Sequence, residues 1–249
     1  MVHPVSSLRD TALALASRVR FIAQSLDDRS PRTLLDIGCG SGQHLTQYLA
    51  QLYPEAQIHG VDDDEASLDQ ARTSFAELSN LSFHSTIPGG SYDVIIASEV
   101  LEHVAEPEAF LRMLREHLAP DGMLILTVPN GFGPSEWMGF LEQLLVASGL
   151  YALLRRLKRA LLGRGGALQR DTYAHSPHIH FFTRTGLRRL GSRVGFAEHR
   201  YAGRMFLHNF LLTLAVDALR LGPVNAKLGA ILPAWMVSDR MCSLPWSAS

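Results

Sequence analysis

The stretch Leu34-Leu35-Asp36-Ile37-Gly38-Cys39-Gly40-Ser41-Gly42 limits the folds open to this chain more than any other segment. Leu34, Leu35 and Ile37 suit a strand buried on both faces, as in a parallel sheet. Glycines at alternate positions suit a loop whose backbone comes close to a ligand, where a Cβ would clash. A helix is expected to start near Ser41, with its free N–H groups aimed at the same point. The segment therefore predicts a nucleotide-type cofactor site, against the plainer alternative of a glycine turn. A dinucleotide fold would put its third glycine at position 43, which is Gln43 here.

The next strand supplies an independent check. Gln57 to Val61 reads as β, and Asp62-Asp63-Asp64 follows, with Asp62 lying 22 residues beyond Gly40. That is close to the ~20-residue offset at which an acid meets a ribose hydroxyl pair in doubly wound folds. Asp62 is the expected ribose ligand, Asp63 lies where an adenine side would begin, and Asp64 suits the N-cap of a helix from Ala66 to Leu78.

Length and charge set the outer limits. With 249 residues, 47% of them hydrophobic, the chain fits one α/β domain spanning 1–249 with insertions. Met1-Val2-His3-Pro4 and the charges at Asp10, Arg18 and Arg20 do not resemble a signal peptide, so a cytoplasmic location is expected. The two cysteines, Cys39 and Cys242, argue against a disulfide framework or a four-cysteine zinc site. No uncharged apolar stretch approaches the ~18 residues of a transmembrane helix. The net charge of −1 conceals an asymmetry: residues 1–149 hold 8 Lys/Arg against 20 Asp/Glu, and residues 150–204 hold 12 against 2. A basic segment of that kind either faces an anionic substrate or surface, or neutralises the acidic half.

Val5 to Leu26 reads as a helix, occupying most of an N-terminal element over 1–30, with Leu8, Leu15, Val19 and Ile22 near a 3.6-residue period; Ser30-Pro31 breaks it. Strands are expected near 33–38, 57–62, 81–84, 92–97 and 122–128, with helices near 42–52, 65–78 and 106–118. This alternation predicts a doubly wound, mostly parallel α/β sheet whose ligands bind at the C-terminal strand edges. Gly38, Asp62, Ser85 and Ser98 all fall there. Just beyond, Glu99, Glu102 and His103 stand at i, i+3 and i+4, so a helical turn would put three proton- or metal-handling groups on one face.

Gly38-x-Gly40-x-Gly42 preceded by Asp36 resembles the first motif of the class I S-adenosylmethionine-dependent methyltransferases. The run Glu99-Val-Leu-Glu102-His103-Val104 resembles that of ubiquinone-pathway O-methyltransferases and small-RNA 2′-O-methyltransferases. The resemblance implies a seven-stranded sheet of the Rossmann-like kind, with sixth and seventh strands near Phe196–Ala202 and Trp235–Leu244, the last antiparallel. It implies S-adenosylmethionine as cofactor, held in a half spanning 31–130 by Asp36, Gly38, Cys39, Gly40, Asp62, Asp63, Thr86, Ser98 and Glu99. Asp36 would reach toward the methionine end, and Ser98 and Glu99 would lie beside it. Ser85-Thr86-Ile87-Pro88 departs from the family pattern, which often places an acid or amide against the adenine. His103 and Glu102 are the catalytic candidates. No residue is assigned as a metal ligand, although in these families the acids and histidine can hold a divalent cation such as magnesium near the acceptor hydroxyl. Without one, His103 would serve as general base.

Pro129-Asn130 also matches the family, with Asn130 placed to orient an acceptor. So does Ser176-Pro177-His178-Ile179-His180-Phe181-Phe182-Thr183, where Thr183 is an N-cap and His178 or His180 completes the polar cluster. Helical insertions over 136–180 and 203–233 are expected to form a substrate lid. Within the first, Leu150, Leu154, Leu157 and Leu161 form a stripe beside Arg155, Arg156, Lys158 and Arg159, a pattern shared by lids and by helices lying on a membrane surface. The expected reaction is O-methylation of an anionic small-molecule, lipid-linked or sugar hydroxyl acceptor, with peripheral contact to the inner face of a membrane as a further option. Few aromatics interleave the arginines, which disfavours a nucleic acid, so a small-RNA 2′-O-methyltransferase ranks second. A nicotinamide oxidoreductase and a non-catalytic, membrane-associated adaptor retaining the fold are the readings from other classes.

Overall fold

The computed structural model describes residues 12–27, 29–130, 148, 179–204, 224 and 239–245. The insertions expected over 136–180 and 203–233 fall almost wholly outside these residues, as does His178. Helix α1 (Ala12–Ser25) precedes β1 (Thr33–Ile37), α2 (Thr46–Leu52), β2 (Gln57–Val61), α3 (Glu65–Ser74), β3 (Leu81–His84) and β4 (Tyr92–Ser98). A 3-10 turn (Leu101–His103), α4 (Pro107–Glu116), β5 (Leu118–Pro129), α5 (Arg184–Arg193), β6 (Arg200–Arg204) and β7 (Asp239–Pro245) complete the described elements.

The seven strands form one sheet in the order β3-β2-β1-β4-β5-β7-β6. All pairs from β3 to β5 are parallel, and β7 runs antiparallel to both β5 and β6. The doubly wound sheet read from the sequence is thus present, and the antiparallel last strand lies where the resemblance put it. β6 starts later than expected. Gly195 takes φ +95°, and Phe196 turns into the core at 3% exposure instead of beginning the strand.

Strand side chains alternate between faces, and both faces of this sheet are covered. Leu34, Ile58, Val94, Ile96, Met123 and Ile125 pack against Val19, Ile22 and Leu26 from α1 and its end, and against Leu49 from α2. On the opposite face, Leu35, Ile95, Ala97, Leu124 and Leu126 meet Leu111 and Leu114 from α4 and Leu187 from α5. Each fully buried side chain of this size stabilises the fold by roughly 1.5–3 kcal/mol. Among the described residues no helix is long and apolar enough to cross a membrane.

The register aligns the strand ends. Ile37 pairs with both Val61 and Ala97, so Gly38, Asp62 and Ser98 leave the sheet at one level, side by side.

Candidate active site

The glycine loop is held by its neighbours before any ligand arrives. Gly38 N and Cys39 N both donate to the Val61 carbonyl, at 2.8 and 3.0 Å. Gly40 N donates to Asp62 Oδ2 at 2.7 Å, and Asp64 N donates to Asp62 Oδ1 at 3.0 Å. Asp62 therefore fixes the ends of β1 and β2 relative to each other, with lone pairs left for further donors. At Gly38 (φ +71°) an added Cβ would lie 2.5 Å from Val100 Cγ2, so only glycine fits. A Cβ on Gly40 would meet no atom within 4 Å, and the loop is open on that side.

The structure corrects the expected helix start. Helix α2 begins at Thr46, not near Ser41, because Gly42 at φ +72° lies in the left-handed region and interrupts the helical path. The N–H groups of Gly38, Cys39, Gly40 and Gly42 are taken up by the Val61 carbonyl, the Asp62 carboxylate and the Cys39 carbonyl, so the expected helix N-terminus does not form at the loop. Asp64 sits at the N-cap of α3 as expected, where its carboxylate accepts from Ser67 Oγ at 2.6 Å. Cys39 contributes only backbone to the loop surface: its side chain packs with Leu68, Ala71 and Phe83. Asp63 and Thr86 are exposed at the ends of β2 and β3.

Asp36 pairs in register with Gly60 and Ile96, so its side chain lies on the α1/α2 face. It is 2% exposed and accepts from Thr46 Oγ1 at 2.7 Å. Burial pushes its carboxyl up to about 7, opposed by the Thr46 hydrogen bond and the Arg18 guanidinium and reinforced by the Asp62 carboxylate. This has a consequence for stability. Below the ordinary carboxyl range both folded and unfolded chains hold the proton, and burial carries no ionic penalty. As pH rises from about 4 toward 7 the unfolded chain ionises first, and the folded state loses on the order of 4 kcal/mol. Asp36→Asn keeps an acceptor for Thr46 and removes the ionisation. Urea unfolding of the two proteins at pH 5 and pH 8 should show the variant gaining on the wild type at the higher pH; an equal difference at both would refute the assignment.

On the same face, Ser98 Oγ and Thr127 Oγ1 lie 2.9 Å apart, and Thr127 Oγ1 donates to Glu99 Oε1 at 2.7 Å. Arg18 of α1 approaches Glu99 Oε1 to 3.7 Å. Arg18 was not singled out from the sequence. Its signal there is a cation set among the apolar positions Leu15, Val19 and Ile22.

The helical face expected for Glu99, Glu102 and His103 does not form. Glu99 has φ +59°, which turns the chain at the end of β4, and the following turn is 3-10. Glu99 is drawn to Thr127, whereas Glu102 is 1% exposed beneath the turn. His103, with 27% of its side chain exposed, keeps its Nε2 3.8 Å from Glu102 Oε1. The expected approach of the histidine segment does occur: Ile179 N and His180 N donate to the Glu102 carbonyl at 2.9 and 3.1 Å. The His180 ring turns away, with Nε2 3.2 Å from the Ala105 carbonyl oxygen. Asn130 is fully buried and bridges to Phe182, so it sits in the wall instead of at the surface. Among the described residues no three His, Cys, Asp or Glu side chains assemble as a metal-binding group.

A family model described as a methyltransferase domain matches residues 8–200. The chain belongs to the methyltransferase domain family. Together with the seven-stranded sheet, this makes it a class I S-adenosylmethionine-dependent methyltransferase domain. The methyltransferase is 31% identical over 119 residues to a trans-aconitate 2-methyltransferase of Deinococcus radiodurans, covering 47% of this chain and 45% of that protein. It is 32% identical over 167 residues to a ubiquinone biosynthesis O-methyltransferase of Bradyrhizobium sp., covering 64% of this chain and 62% of that protein. The matches thus span about half the length of these curated relatives. The fold is shared with magnesium protoporphyrin IX methyltransferase from Synechocystis PCC 6803, solved with bound S-adenosylmethionine: TM-score 0.54 at 19% identity, over 99% of this chain and 86% of that one.

Proposed function

We propose that this domain transfers a methyl group from S-adenosylmethionine to a hydroxyl of an anionic small-molecule, lipid-linked or sugar acceptor, with His103 taking the proton. The observation that carries this reading is the pairing of a partly exposed imidazole with a buried carboxyl group 3.8 Å away, on the turn that follows β4. The site fits the cofactor. Gly40 leaves open space over the loop, Asp62 offers acceptor lone pairs at the end of β2 for a ribose, and Arg18, largely buried beside Glu99, adds a cation suited to a carboxylate. When bound, the cofactor supplies an electrophilic methyl on a sulfonium. The protein's part is to align an acceptor oxygen, exclude water and receive a proton. Similarity to a protein named an O-methyltransferase supports oxygen as the acceptor atom. The basic segment over 150–204 supports an anionic acceptor.

The test is a panel of hydroxyl, carboxyl and amine compounds, with and without an anionic group, incubated with methyl-labelled S-adenosylmethionine. Label is expected in anionic hydroxyl compounds. Cofactor binding with label appearing only on amines would overturn the acceptor assignment.

A further inference from the structure

Away from the glycine loop, on the α4/α5 face of the sheet, three heteroatoms converge. The register pairs His59 with Ser82 and Val61 with His84, so His59, Ser82 and His84 emerge on one face of β2 and β3. His59 Nδ1 lies 3.2 Å from His84 Nε2. Ser82 Oγ lies 3.0 Å from the first nitrogen and 2.9 Å from the second. The three atoms make a nearly equilateral triangle. The His59 ring is steadied by an edge contact with Tyr92, centroids 5.6 Å apart, and the Tyr92 hydroxyl donates to the Pro88 carbonyl.

Two imidazole nitrogens bound to one ion at about 2.0–2.1 Å stand roughly 2.9 Å apart at a right angle and roughly 3.4 Å apart at the tetrahedral angle. The observed separation falls between these limits. Arg72 is the cation facing the pair, and it is turned onto Glu65, Asp69 and the Phe83 carbonyl.

We propose that His59 and His84, assisted by Ser82, form a binding site for a borderline divalent transition-metal ion such as zinc, with water in the remaining positions. Nitrogen donors select against hard cations such as magnesium, which take oxygen ligands. An ion here would clip the edge strand β3 to β2. Asp62 N donates to the His84 carbonyl at 3.3 Å, so the clip lies beside the strand ends that carry Asp62 and Thr86.

The intact chain is titrated with zinc chloride while the histidine ring nitrogens are followed by long-range proton–nitrogen NMR. The His59 and His84 nitrogens are expected to shift together by the first equivalent, ahead of the other histidines. In calorimetry with zinc chloride, His59→Gln and His84→Gln should each lower the affinity of this site by roughly tenfold or more, and Ser82→Ala by less. Zinc should also raise the melting temperature of the wild type more than that of either histidine variant. The proposal is overturned if other histidines titrate while His59 and His84 stay unmoved. Affinity unchanged in both histidine variants would overturn it as well. None of these readouts involves methyl transfer, so the result is independent of the acceptor assignment.

Discussion

Replacing Asp62 with Ala is expected to weaken binding of S-adenosylmethionine and of its demethylated product by about a hundredfold or more. The side chain does two things at once. It accepts from Gly40 N and Asp64 N, which sets the glycine loop against the end of β2, and it presents its remaining lone pairs where a ribose would lie. Hydrogen bonds to a charged group contribute roughly 1.5–3 kcal/mol each, and about 1.4 kcal/mol is a factor of ten in affinity. Losing one ligand bond and part of the loop's ordering therefore accounts for two decades. Asp62→Asn retains one acceptor oxygen and should fall between the two. Calorimetry with both ligands measures the effect, and a thermal melt of each apo variant separates binding from folding. A loss smaller than about threefold in the Ala variant would remove Asp62 from the ribose site.

The parts of this site that were legible in the sequence are those set by local backbone chemistry. An apolar run followed by alternate glycines could only be a buried strand feeding a tight loop, and β1 with Gly38, Gly40 and Gly42 at positive φ is what forms. The offset from Gly40 to Asp62 reflects one crossover of a parallel sheet, and the hydrogen bond between them closes that crossover. What the sequence hid are features set by neighbours on other strands. The i, i+3, i+4 reading of Glu99, Glu102 and His103 presumed a helix, but Thr127, 28 residues away, captures Glu99 and the turn tightens to 3-10. Arg18 enters the site only because α1 packs over the face that carries Asp36 and Thr127. His84 reads in the chain as the last residue of a strand. Its meeting with His59 depends on the β2–β3 register, which no local pattern encodes.

The second large effect is expected at His103. Its ring is the partly exposed member of a pair, with Nε2 toward Glu102, which is buried and held at the backbone by Ile179 and His180. The carboxyl group 3.8 Å away restrains the orientation of the ring. If His103 receives the acceptor's proton, His103→Ala should lower kcat by roughly 10²–10⁴ and leave the Kd for S-adenosylmethionine within about twofold. The acidic limb of the pH–rate profile should disappear with it. Glu102→Gln preserves shape but not charge, and as a positioning change it should reduce kcat less than the loss of His103 does. The measurement is single-turnover methyl transfer at saturating cofactor across pH, using whichever acceptor the panel identifies. A His103→Ala enzyme with kcat within about threefold of wild type and an unaltered pH profile would make the histidine a packing residue under the cofactor. The acceptor would then be activated by a group elsewhere in the site.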